Sequence, residues 1–139
     1  RELGVGFVPF SPLGRGFLAG SVTPQTDLAA DDFRRKLPRF QADAMAANAP
    51  LVARVDAIAR AHGVTKAQLA LAWVLAKGND IVPIPGTRRI DRLEENVAAA
   101  AIRLTAEDVA ELEAAVPPDE VVGARYASGA WTPPAERKD

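Results

Sequence analysis

The stretch from Ile84 to Asn96, IPGTRRIDRLEEN, sets three arginines, Arg88, Arg89 and Arg92, at the start of a helical pattern. The first turn of a helix carries partial positive charge, which favours acidic residues and mildly disfavours cations. An anion would resolve that conflict, because guanidinium forks suit phosphate oxygens and the free amides of a helix start add donors. Helical spacing from Arg88 puts Arg88, Arg92, Glu95 and Asn96 on one stripe, and Ile90, Leu93 and Val97 on another. The apolar stripe is expected to pack inward. The polar one is left as a coherent surface, on which Asn96 can serve both edges of an amide-like or adenine-like group. A plainer account competes: the arginines and glutamates of a solvated face pair with one another, and Asp91 and Glu94 soften the conflict.

A second loop has related chemistry. Phe10 ends an apolar run and offers a ring face for stacking, and Ser11-Pro12-Leu13-Gly14-Arg15-Gly16 follows it. Gly14 and Gly16 permit close approach of a ligand to the backbone, and successive free amides can cradle a diphosphate. One such loop is usually just a turn. Two of them, each after a parallel strand, are more informative, since the loops after the last two strands of eight-stranded βα barrels commonly bind phosphate.

The elements that must position these loops are legible from pattern. Val5–Phe10 reads as a strand buried on both faces, as in a parallel sheet. Residues 21–48 have weak periodicity and many breaks, so a long excursion with one short helix is expected. After Pro50, Leu51, Val52, Val55, Ile58, Ala59 and His62 share a helical face that Gly63 closes. Thr65 and Gln68 form a capping box for KAQLALAWVLAKG, which is apolar nearly all round and expected to be well buried. Ile81–Ile84 is a second strand, followed by the PGT turn and a helix through Ala100. Thr105 and Asp108 cap a last helix, Ala106 to Ala115, and a proline-rich tail begins at Pro117. Strands separated by helices indicate parallel pairing. Two strands are too few for an independent sheet of that class, and the chain enters its first strand almost at once from Arg1. Both features point to a larger parent.

Composition narrows the function classes. With 17 basic and 18 acidic residues the net charge is −1, which gives no nucleic-acid footprint. No apolar run reaches membrane-spanning length, and a cytoplasmic location fits. The absence of cysteine excludes disulfides, thiolate metal sites and a cysteine nucleophile.

Four segments, FVPFSPLGRGFLAG, PRFQADAMAAN, QLALAWVLA and IVPIPGTRRIDRLEENVAAA, resemble the C-terminal part of the aldo-keto reductases, in order and along nearly the whole chain. The resemblance implies an α/β fold, the C-terminal portion of a (β/α)8 TIM barrel that is incomplete here. Residues 1–139 would form that part, with 117–139 as its tail, Val5–Pro9 as strand seven and Ile81–Ile84 as strand eight. It implies NADP(H) as cofactor and a small aldehyde or ketone, reduced to an alcohol, as substrate. By the same resemblance Phe10 stacks on the nicotinamide and Ser11, Pro12, Leu13, Gly14, Arg15 and Gly16 cross the pyrophosphate. Gly86, Thr87 and Arg88 hold the 2′-phosphate, and Arg92, Glu95 and Asn96 surround the adenosine end. The anion at the helix start is then the 2′-phosphate. Arg34 aligns loosely with a clasp over the cofactor.

The family's tyrosine, lysine, aspartate and histidine lie on earlier strands, so no catalytic residue is expected in this chain. Its lone Tyr126 and lone His62 stand outside such a motif and read as structural. Trp73 is expected in the core, and Trp131 in packing or at a substrate pocket. Two alternatives remain beside the reductase: a non-catalytic dinucleotide-binding or regulatory module, and a barrel fragment that does not fold alone.

Overall fold

The computed structural model describes residues 1–24 and 28–127. Trp131, with the rest of 128–139, lies outside them. Two extended segments near the start and middle of the chain meet in parallel, through bridges Phe7 to Ile81 and Phe10 to Ile84. The Phe7 N–H donates to Asp80 O at 2.7 Å, and Phe7 O accepts from Val82 N–H at 2.9 Å. Pro9 then has no N–H to give, although its carbonyl still accepts from Ile84 N–H at 3.3 Å. Pro83 removes another donor on the opposite side. The expected parallel pairing is therefore present, but as isolated bridges and not as two continuous strands.

The expected burial of Val5–Phe10 is overturned, and the second segment is exposed as well. Phe7 is 60% exposed, and Val5, Val8, Val82 and Ile84 are all more than half exposed. A parallel pair buries its faces only between flanking strands and covering helices, and the described residues supply one partner strand and no such cover.

Among the described residues four α-helices make up the body: α1, Ala42–Ala61; α2, Lys66–Ala76; α3, Ile90–Ala98; and α4, Ala106–Ala115. Helix α1 starts before Pro50 and runs through it, in place of the loop expected up to residue 48. An interior proline deletes one helical bond and usually costs about 3 kcal/mol. Here Ala44, Met45, Asn48, Leu51, Val55, Ile58 and Ala59 form one buried face across it, so packing on both sides outweighs the missing bond. The excursion ahead of α1 holds two 3-10 turns, Phe33–Lys36 and Pro38–Phe40.

The capping boxes at Thr65/Gln68 and Thr105/Asp108 both form, and they fix where α2 and α4 begin. Helix α2 is less buried than expected. Ala67, Leu69, Leu71 and Ala72 are buried, but Trp73 and Val74 are only half so. Leu69, with no exposed surface, sits among Val55, Ile58, Ala59 and Leu112, and Trp73 packs on the rim of that cluster. A second core, Val22, Leu37, Phe40 and Met45, lies beneath the loop after the first segment, with Phe17 edge-on to Phe40 at 6.4 Å. It gives that loop a packed floor.

Helix α3 is inverted with respect to expectation. Ile90, Leu93 and Val97 are 75%, 52% and 65% exposed, whereas Arg92, Glu95 and Asn96 are half-buried. The Gln68 side chain on α2 donates to Glu95 O at 3.3 Å, so the polar stripe faces the body. The apolar stripe is left without a partner among the described residues.

Candidate functional site

The two loops that leave the paired segments share one open cleft of about 590 Å3. On one side it is lined by Phe10, Ser11, Pro12, Leu13, Arg15 and Gly16, and on the other by Gly86, Thr87, Arg92, Glu95 and Asn96. Ala19, Ser21, Ala67, Ile84, Pro85 and Arg89 complete it. Three residues named from sequence, Gly14, Arg88 and Arg34, are not in the lining. Gly14 faces an apolar cavity with Phe17 and Phe40, and Arg88 is exposed beside the cleft. Neither Tyr126 nor His62 lines it. His62 caps the end of α1, 3.5 Å from Asp108.

The first loop is held in a strained shape. Ser11 at φ 50° and Arg15 at φ 56° are the described non-glycine residues with positive φ, and both lie in SPLGRG. A non-glycine residue there costs on the order of 1–3 kcal/mol and persists only where its surroundings over-determine it. Those surroundings are visible. Gly16 O accepts from Ser21 N–H and Ser21 Oγ, both at 3.1 Å, and from Val22 N–H at 3.3 Å. Gly16 itself, at φ 102°, has no room for a side chain, since a Cβ would lie 2.6 Å from Ser21 Oγ.

Arg34 braces this loop and does not line the cleft as a clasp. Its Nη1 donates to Arg15 O at 3.0 Å, while Asp32 grips the guanidinium at 2.6–3.1 Å. Those bonds from the Arg34 side chain and backbone lower the Asp32 pKa to about 2.

Arg15 has a different environment. Its guanidinium lies 5.2 Å from the Tyr126 ring centroid and 5.9 Å from that of Phe33, and it donates to Arg125 O at 3.2 Å. Arg39 donates to Gly123 O, and Arg125 to Phe10 O. None of the three has a carboxylate partner among the described residues. Burial depresses the Arg39 pKa, and the Arg125 and Arg15 charges depress it further.

The second loop answers its charges locally. Thr87 Oγ1 accepts from Arg89 N–H at 3.1 Å, and α3 starts at Ile90, so Arg88 and Arg89 both precede the helix. Arg89 pairs with Asp91 at 2.5 and 3.0 Å, and Arg92 with Glu95 at 2.6 Å. The bond from Arg89 holds the Asp91 carboxyl below its usual range. Burial raises the Glu95 pKa, but bonds from Arg92 and Thr65 outweigh it and leave the net direction downward. Arg88 is the arginine of this stretch with no partner among the described residues. The pairing account and the free-anion account thus each describe part of the stretch.

Sequence reasoning named Arg89 in the arginine stretch but did not assign it to the site, and it missed Ala19, Ser21, Ala67, Ile84 and Pro85 in the cleft. For Arg89 the signal was present: Thr87 two residues earlier can form a local turn that delays the helix start and shifts which arginine faces inward. Ser21 enters through its local bonds to Gly16 O, whereas Ala67 enters through folding of a distant segment and leaves no local mark.

The aldo/keto reductase family model matches residues 1–117. A probable aldo-keto reductase 1 of Glycine max is 43% identical over 99% of this chain. An NADP(+) aldo-keto reductase, yakc, of Schizosaccharomyces pombe is 46% identical over 94% of it. The chain spans 42% and 38% of those two relatives. A thermostable aldo-keto reductase crystallised with the inhibitor epalrestat superposes on 83% of this chain and 31% of its own, with a TM-score of 0.54 and 29% identity. With residues 1–117 of its 139 matched by the family model, this chain belongs to the aldo/keto reductase family.

Proposed function

We propose that this chain is the cofactor-binding, C-terminal part of a cytoplasmic, NADPH-dependent reductase that converts aldehydes or ketones to alcohols, built on the last two strands of a (β/α)8 barrel. The observation that carries the reading is the shared cleft, in which an aromatic ring, a glycine loop and an arginine-rich helix start follow two parallel-paired segments. The donor set fits a phosphorylated dinucleotide. Phe10 offers a stacking face, the Ser11–Gly16 backbone offers close approach to a diphosphate, and Arg88, Arg89 and Arg92 supply cations for the 2′-phosphate. The bound nicotinamide supplies hydride. What the chain's own residues do is hold the ring on one face, neutralise phosphate charge and exclude water beneath the loop.

The exposed apolar faces of the paired segments and of α3 support the barrel reading, since both are surfaces that a complete barrel covers. The proton donor is proposed to lie outside this chain, because neither Tyr126 nor His62 lines the cleft. A positioned general acid contributes about 10²- to 10⁴-fold in rate. The 139-residue chain alone is therefore expected to show no substrate-dependent NADPH oxidation across an aldehyde panel. Titration with NADPH and NADH tests the cofactor reading. Tighter binding of NADPH, weakened about tenfold by Arg92→Ala with little effect on NADH, is the expected result. Equal affinities in the parent chain would remove the 2′-phosphate assignment. Phe10→Leu is expected to weaken both dinucleotides.

A further inference from the structure

The segment that follows α4 is fastened to the body by a buried amide. Asn48, 3% exposed on the inward face of α1, donates from Nδ2 to Val122 O at 2.8 Å, and its Oδ1 accepts from Val122 N–H at 2.9 Å. One side chain thus supplies both bonds of a sheet rung to a residue 74 positions away. Gly123 then turns at φ +86°, where a Cβ would lie 2.8 Å from Arg39 Cα, and Arg39 Nε donates to Gly123 O at 3.1 Å. This turn brings the Arg125 guanidinium to 5.0 Å from the Phe10 ring centroid, with a bond to Phe10 O at 3.2 Å. Phe10 lines the cleft and Arg125 is not among its lining residues.

A ring face carries negative quadrupole potential, which attracts cations. A guanidinium on one face draws on that density, fixes the ring plane and leaves the other face less attractive to positive charge. We propose that Arg125, held by the Asn48 clasp and the Gly123 turn, is a positioning and specificity residue for the stacking end of the cleft. It favours a neutral planar ring on Phe10 over a positively charged one. The proposal rests on the dinucleotide reading above, in which the neutral guest is the dihydronicotinamide of NADPH and the charged guest is the pyridinium of NADP+.

The test measures dissociation constants of NADPH, NADP+ and adenosine 2′,5′-bisphosphate, which lacks the nicotinamide, for the 139-residue chain and three variants. Arg125→Ala is expected to lower the preference for NADPH over NADP+ about two- to fivefold, the range of an exposed cation–π contact. Gly123→Ala, which dislodges the turn and keeps the charge, is expected to reproduce that loss. Arg125→Lys keeps a cation and is expected to retain most of the preference. Adenosine 2′,5′-bisphosphate should bind all four proteins equally. An unchanged NADPH to NADP+ ratio in Arg125→Ala would overturn the proposal, and so would an equal loss for the bisphosphate. Failure of the unmodified chain to bind any of the three would overturn the dinucleotide reading and the ring bias with it. Amide exchange separates that failure from a missing clasp: Val122 N–H should exchange slowly in the chain and rapidly in Asn48→Leu.

Discussion

The two loops that wall the cleft treat their arginines in opposite ways. After the first extended segment, Arg15, Arg39 and Arg125 lie against carbonyl oxygens and aromatic rings, and no carboxylate answers them among the described residues. After the second, Arg89 and Arg92 are each neutralised within three residues by Asp91 and Glu95, and Arg88 stays unpaired. Of the three, Arg15 belongs to the first loop and lines the cleft, so that loop holds one cation without a carboxylate partner beside a strained backbone. The second holds it in exposed or half-exposed ion pairs, which are worth only about 0–1 kcal/mol and open readily. An anion arriving at the first loop meets uncompensated charge. One arriving at the second must use Arg88 or take a guanidinium from its carboxylate.

Four experiments would break or sharpen that contrast. The largest effect is expected from Gly16→Ala. Left-handed strain of about 1–3 kcal/mol and the collision with Ser21 should lower dinucleotide affinity tenfold to a hundredfold. A variant that binds NADPH normally would show that the first loop need not keep its shape. Next come paired alanine substitutions, read by the same titration. Arg15→Ala should weaken NADPH and NADH alike, about tenfold on the scale of a charged hydrogen bond. Arg88→Ala should weaken NADPH by a similar factor and spare NADH. The reverse pattern would exchange the roles of the two loops.

A smaller effect, a few-fold gain in NADPH affinity, is expected from Glu95→Gln, because it releases Arg92 from its pair. A loss of affinity would mean that Glu95 holds Arg92 in its binding position and that the second loop is preformed. The smallest effect is on stability in acid. The Asp32 pKa is lowered from 3.8 to about 2, so its contribution is fully present above pH 3.8 and disappears as pH falls toward 2. Helical circular dichroism of Asp32→Asn and the parent chain should differ at pH 6 and converge near pH 2. A gap that persists at pH 2 would assign Asp32 a role other than charge.

Local chemistry determined much of this protein from its sequence. The Thr65 and Thr105 capping boxes, the last helix from Ala106 to Ala115 and the two candidate loops all rest on neighbours within a few residues. So does the motif resemblance that led to the family. The parallel relation of the two short segments followed from the order of strands and helices. Tertiary structure decided the rest. Helix α1 crosses Pro50 because buried faces on both sides outweigh one lost hydrogen bond. The α3 polar stripe turns inward because Gln68 and Thr65 at the start of α2 bond Glu95, which pairs with Arg92, while Ile90, Leu93 and Val97 stay exposed. Arg89 enters the cleft instead of Arg88 because a Thr87 turn delays the helix start. The tail reaches Phe10 because Asn48, 74 positions from Val122, offers both halves of a backbone rung. Periodicity and caps are properties of a short stretch of chain, whereas burial, charge pairing and distant backbone partners exist only once segments remote in sequence have met.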